Sequence, residues 1–130
     1  MDRIIIAVPG RNRTRFLPGD EIVAAAYWKL DQPPSSVEVR LFWFTRGKGT
    51  QDVNVVQTIR FDHPQIEEAR PARLVLPEAP YSFSGKLISL VWALEIVADP
   101  SGESTRVELT VSPTGDEIDL RQPIAQAISL

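Results

Sequence analysis

The chain has 130 residues, 43% of them hydrophobic and 24% charged, with 17 acidic and 14 basic side chains and a formal charge of −3. This is the balance of one globular domain with a single core, and it excludes a disordered composition and the basic surface of a nucleic-acid-binding domain. Cysteine is absent, which rules out disulfides and thiolate zinc sites and fits a reducing compartment.

Eleven prolines and seven glycines punctuate runs rich in Val, Ile, Leu, Phe, Trp and Thr, an all-β rhythm. "RIIIAV" (3–8) predicts a first strand, and "LPGDEIVAAAYWKL" (17–30) a turn at Pro18-Gly19 that feeds a second. "SVEVRLFWF" (36–44) sets Val37, Val39, Leu41 and Trp43 against Glu38, Arg40, Phe42 and Phe44, a period of two that no helix produces. After "TRGKGTQ" (45–51), "DVNVVQTIRF" (52–61) places Val53, Val55, Ile59 and Phe61 on one face, so the pair predicts a β-hairpin with positive φ at Gly47 or Gly49.

"DHPQIEEARP" (62–71) has some helical character, but Pro64 and Pro71 restrict it to a connection, and "ARLVLP" (72–77) reads as a short strand. Residues 87–97 contain only two polar side chains, Ser89 and Glu95. They predict a central strand with Ile88, Leu90, Trp92, Leu94 and Ile96 facing the core. "DPSGES" (99–104) is a turn, and "TRVELTV" (105–111) returns with Val107, Leu109 and Val111 inside. Helix content is expected below about 10%. The expected organisation is one sandwich over residues 1–112 and a weakly patterned tail over 113–130 that adds an edge strand, packs on a partner or stays mobile.

Seven or so antiparallel strands in this length predict two packed sheets, an immunoglobulin-like β-sandwich. Three strings also resemble the arrestin family: "FLPGDEIVAAAYWKL", "VEVRLFWFTRGKGTQDV", and the proline-rich turn with its strand, "LPEAPYSFSGKLISLVWALEIVAD". The resemblance covers roughly residues 1–112. It implies an arrestin-like fold and an adaptor that binds protein, since arrestins and their relatives hold receptors or sorting cargo with paired sandwiches. These 130 residues are expected to form one sandwich, so no counterpart of the inter-domain polar core of arrestins is expected within them, and none of those residues is carried over.

Catalytic constellations are not expected. His63 is the only histidine, too few ligands for a metal centre, and none of Ser82, Ser84 and Ser89 sits in a nucleophile elbow. "RGKGT" (46–50) lacks the spacing of a phosphate-binding loop. The carboxylate pairs Asp20-Glu21, Glu67-Glu68 and Asp116-Glu117 are neighbours along the chain and point apart. Trp92 sits on an apolar strand face, which favours burial over a sugar-stacking platform. The one local feature of interest is basic: Arg11, Arg13 and Arg15 in one loop, with Arg46 and Lys48 at the hairpin tip. These are a candidate patch for phosphate or carboxylate groups on a partner.

The sequence therefore predicts a non-enzymatic protein-binding or scaffolding module with no cofactor and no metal. Its alternative is a carbohydrate- or small-anion-binding sandwich, for which two exposed tryptophans on one face would be the mark. The expected partner is a protein, with homo-oligomerisation through an edge strand or the tail, and no nucleic acid. No apolar run approaches the roughly 18 residues of a membrane span. The start, Met1-Asp2-Arg3 followed by "IIIAV", is too short for a signal peptide, so the expected location is cytoplasmic.

Overall fold

Alternation along each segment decides which face of a strand is core, and the computed structural model, which describes residues 1–9, 14–47, 49, 51–85, 87–114 and 117–119, shows how the faces meet. Among these residues ten strands follow one another: β1 (Arg3–Ala7), β2 (Arg15–Phe16), β3 (Glu21–Lys29), β4 (Ser36–Gly47), β5 (Val53–Arg60), β6 (Glu67–Val75), β7 (Phe83–Ser84), β8 (Ile88–Asp99), β9 (Ser104–Val111) and β10 (Ile118–Asp119). No helix occurs among them. The smaller sheet has the order β1-β3-β6. The larger has the order β10-β7-β8-β4-β5, with β9 beside β8 and β2 beside β9. The long pairings are antiparallel, whereas the two-residue pairings of β2 with β9 and β10 with β7 are parallel.

The two sheets share one core. Ile4, Ile6, Ile22, Ala24, Trp28, Ala72 and Leu74 from the smaller sheet meet Val37, Val39, Leu41, Trp92, Leu94, Ile96, Leu109 and Val111 from the larger. This is the all-β sandwich expected from the sequence. β8 is its central strand, paired along its length with β4 and from Trp92 to Val97 with β9. Leu90, Trp92, Leu94 and Ile96 are buried, whereas Ile88 at the strand's start is exposed.

The proline-bounded turn before β8 closes the core over Trp92. Its indole N–H donates to the carbonyl of Pro80 at 2.9 Å, which satisfies the polar atom of a ring that is otherwise wholly apolar-packed. Buried Ser82 ties the turn down: its N–H donates to Val111 O at 2.7 Å, and its hydroxyl accepts from Val111 N at 2.9 Å. The carbonyl of Ser82 accepts from Ile118 N at 3.3 Å, next to β10. Ser82→Ala would leave the Val111 N–H buried and unsatisfied. We expect a loss of about 1–2 kcal/mol in chemical denaturation; an unchanged midpoint would mean that the N–H finds another acceptor.

Two elements differ from the sequence reading. Residues 67–71, read as connection, are the first half of β6, which pairs with β3 from Glu67↔Lys29 to Glu21↔Val75. Cross-strand pairing overrides the modest helical propensity of "EEAR". Pro71 is tolerated because β6 is an edge strand, with one side free of ladder bonds. In β5, Leu41 pairs with Gln57 but Phe42 pairs with Val55, so Val56 is an extra residue and a β-bulge. The bulge reverses the facing of everything before it. Val53 and Val55 therefore lie on the outer face with Phe42 and Phe44, while Ile59 and Phe61 stay with the core.

Candidate functional site

The edges of the two sheets are finished differently. β6 carries Pro71 at its centre, flanked by Arg70 and Arg73, features that discourage an added strand. β1 is approached by β9, whose Thr105 hydroxyl donates to the carbonyl of Ile4 at 2.7 Å. At β5, Gln57 Oε1 accepts from Val75 N of β6 at 3.2 Å, which closes the edge around residue 57. Nearer the hairpin tip, Val53 and Val55 are 65% and 50% exposed and Val56 is 38% exposed. Of the β6, β1 and β5 edges, this one presents aliphatic side chains without proline or charge.

Beside it lies a recess of about 300 Å³ whose lining includes Phe42, Phe44, Val53, Val55, Arg40 and Arg106. Its floor is built across three strands. The Arg106 guanidinium of β9 lies over both Phe42 and Phe44 of β4, at 5.3 and 5.4 Å from the ring centres. The two rings are 5.9 Å apart. Ala93 on β8 pairs with Phe42 on one side and Glu108 on the other, and its small side chain lets the arginine cross. Arg106 also bonds Glu95 at 3.4 Å, and Arg40 bonds Glu38 at 2.9 Å. The cations of the recess are thus held by neighbours, and the cation–π contacts cover the rings rather than leaving them bare.

The basic patch read from the sequence is only partly described, since Arg11, Arg13 and Lys48 lie outside the described residues. Arg15 pairs with Thr110 in the β2–β9 register. Arg46, at the end of β4, bonds Glu108 at 2.6 Å and stacks over Phe44 at 5.4 Å. Glu108 and Thr110 are two residues apart on β9, so Arg15 and Arg46 stand on one face at one end of the larger sheet. A polar recess of about 270 Å³ beside Arg46 also contains Glu108, Glu117, Ser84 and Ser89. Two carboxylates in the same recess offset the arginine and lower its attraction for a further anion.

The other singled-out residues have structural partners. His63 is exposed in the loop after β5 with φ of 46°. Asp20 caps the Pro18-Gly19 turn by accepting from Leu17 N at 2.9 Å. Glu21 bonds Arg73 at 3.0 Å, Glu67 accepts from the Tyr27 hydroxyl at 2.6 Å, and Glu117 accepts from Ser84. The Arg70 guanidinium beside Glu68 holds its carboxyl below the usual carboxylate range. Asp116 lies outside the described residues. Trp28 and Trp92 are fully buried and Trp43 is half-buried, so no two tryptophans form an exposed platform. Among the described residues no cluster of His, Cys, Asp and Glu is placed to hold a metal ion, and no helix is long and apolar enough to cross a membrane.

The Val53–Val55 margin and the Phe42–Phe44–Arg106 floor escaped the sequence reading. The available signal was the pair of aromatics at alternate positions, Phe42 and Phe44, on the face that also carries Glu38 and Arg40.

No protein-family model matches the chain, and no curated protein matches it. Among solved structures it is similar to the sporulation control protein Spo0M from Bacillus subtilis. The TM-score is 0.63 and the identity 17%, over 85% of this chain and 49% of that one. The chain thus spans about half the length of Spo0M. Spo0M has an arrestin-like fold, and the likeness extends that fold to this sandwich.

Proposed function

We propose that the chain is a non-enzymatic, arrestin-like protein-binding module that adds an extended segment of a partner polypeptide to the β5 edge. The observation that carries this reading is the exposed Val53–Val55–Val56 margin beside the aromatic recess. Main-chain hydrogen bonds to an edge strand supply affinity, and alternate side chains of the added strand reach one face and supply selectivity. On β5 the outward-facing side chains of such a strand would lie over Val53, Val55 and the Phe42–Phe44 floor. Apolar residues at every second position would fit there, because Arg40 and Arg106 are already paired with Glu38 and Glu95. The arrestin-like fold supports an adaptor or scaffold role, and the lack of cysteine fits a reducing, cytoplasmic setting. The small-ligand alternative has less support, because Trp28 and Trp92 are core residues and Arg46 is paired with Glu108.

Selection of a displayed peptide library against the folded chain tests this. Peptides with alternating apolar residues are expected. Val53→Asp and Val55→Asp should weaken them at least about tenfold while the fold is kept, because both side chains are largely exposed. The reading fails if selected peptides bind both variants as well as the parent. It is replaced by the small-ligand alternative if no peptide is retained while a sugar or phosphorylated metabolite binds saturably and Arg46→Ala removes that binding.

A further inference from the structure

The open stretch of β5 can pair with itself. Thr45 N donates to Asp52 O at 2.9 Å, and hydrogen-bonded and non-hydrogen-bonded pairs alternate along an antiparallel ladder. Over the next pairs, Phe44↔Val53, Trp43↔Asn54 and Phe42↔Val55, the main-chain N–H and C=O of Asn54 therefore turn toward β4. Those of Val53 and Val55 turn outward, where β5 is the last strand of its sheet. The stretch is short. It is bounded on one side by the turn of the β4–β5 hairpin, and on the other by the Val56 bulge and Gln57, whose side chain accepts from Val75 N. Asn54 lies at its centre and is exposed. The only charge in residues 52–56 is Asp52.

Resting on the reading of this edge as a strand-addition site, we propose that a second copy of the chain supplies the added strand, β5 against antiparallel β5 about a two-fold axis at Asn54. Such an axis sets Val53 of each copy opposite Val55 of the other, and four main-chain hydrogen bonds then link the outward groups. Moving the axis to Val53 or Val55 would place a valine opposite Gln51 or Gln57 instead. On the outer face, Phe42 and Val55 of one copy continue into Val53 and Phe44 of the other, so the apolar strip crosses the joint unbroken. The residue on a two-fold axis meets its own mate. Asn54 suits that place, because its amide carries both donors and an acceptor. The charges are compatible as well: Asp52 falls opposite Val56, and the two Asp52 residues stand roughly 14 Å apart, beyond a screening length of about 8–10 Å. Few residues pair, so the contact belongs to the weak, transient class, with association between about 10 μM and 1 mM. A second copy and a partner strand use the same N–H and C=O groups, so each displaces the other.

Sedimentation and light scattering of the intact chain over that range test the pairing. A reversible, concentration-dependent dimer is expected. Val55→Pro removes an outward N–H that the β4 ladder does not use, and should weaken the dimer at least about tenfold while circular dichroism keeps the strand signal. Asn54→Asp and Asn54→Lys each oppose like charges on the axis. Each should be monomeric alone, yet the two should dimerise on mixing; the side chain is exposed, so both variants keep the fold. A parent chain that stays monomeric throughout overturns the pairing. So does a dimer that Val55→Pro leaves unchanged, or an Asn54 mixture that associates no better than its components. The strand-addition reading fails by a different result, selected peptides that bind Val53→Asp and Val55→Asp as well as the parent, so the two failures are distinguishable.

Discussion

Trp92→Ala is expected to destabilise the domain by about 3–5 kcal/mol, a large share of the total for a chain of this size, about 5–15 kcal/mol. The indole is fully buried between the sheets and its N–H is bonded to Pro80 O. Truncation therefore opens a cavity and also removes the bond that holds the turn over it. The cavity is bounded by the β-sheet ladders of β4 and β9 on either side of β8, which limits how far the walls can collapse. Urea denaturation reads the loss directly. Trp92→Phe separates the two contributions, since it keeps most of the volume and leaves Pro80 O without its donor. Trp43→Ala provides the scale for a half-buried ring on the neighbouring strand and should cost less. An unchanged midpoint for Trp92→Ala would remove the residue from the intersheet core and reverse the facing assigned to β8.

Gly47→Val should lose about 3 kcal/mol or more, and Gly49→Val clearly less. Both glycines have positive φ, 145° and 93°, a conformation that a β-branched residue adopts only under strain of roughly 1–3 kcal/mol. Their surroundings differ. A Cβ on Gly47 would lie 2.0 Å from the carbonyl oxygen of Leu87, whereas one on Gly49 would meet nothing within 4 Å. At Gly47 the clash is with backbone, so the end of β4 would have to move away from the start of β8, where Gly47 pairs with Ile88. Overpacking then adds to the conformational strain. Comparing the two variants by thermal and urea denaturation decides the matter. Equal losses would show that the hairpin tip shifts freely and that only the φ requirement is felt.

The bulge at Val56 joins the hairpin to the proposed binding edge. It turns Val53 and Val55 outward beside Phe42 and Phe44, and the ladder returns to core facing at Gln57 and Ile59. A strict two-residue period carried through 52–61 would bury those valines, and the edge would then present polar residues. A binding margin that depends on one inserted residue is hard to find from alternation, because alternation is the signal that the insertion disrupts.

What the sequence determined by itself was whatever depends on one strand and its own turns. The alternation in 36–44 and 105–111, the apolar run of 87–97 and the glycines of the hairpin identified the elements, their core faces and the burial of Trp92, because side-chain facing and backbone φ are local properties. What only the tertiary structure decided was which strands lie side by side. Arg46 meets Glu108 across 62 residues of sequence, and Thr105 reaches Ile4 across 101. Arg106 covers two phenylalanines from a strand two places away in the sheet, and β3 draws residues 67–71 into β6. None of these contacts has a local signature, because they follow from the order of strands in a sheet and from where one extra residue falls in a ladder. That order also assembled the surface proposed to bind a partner strand, the Val53–Val55 margin beside Phe42 and Phe44.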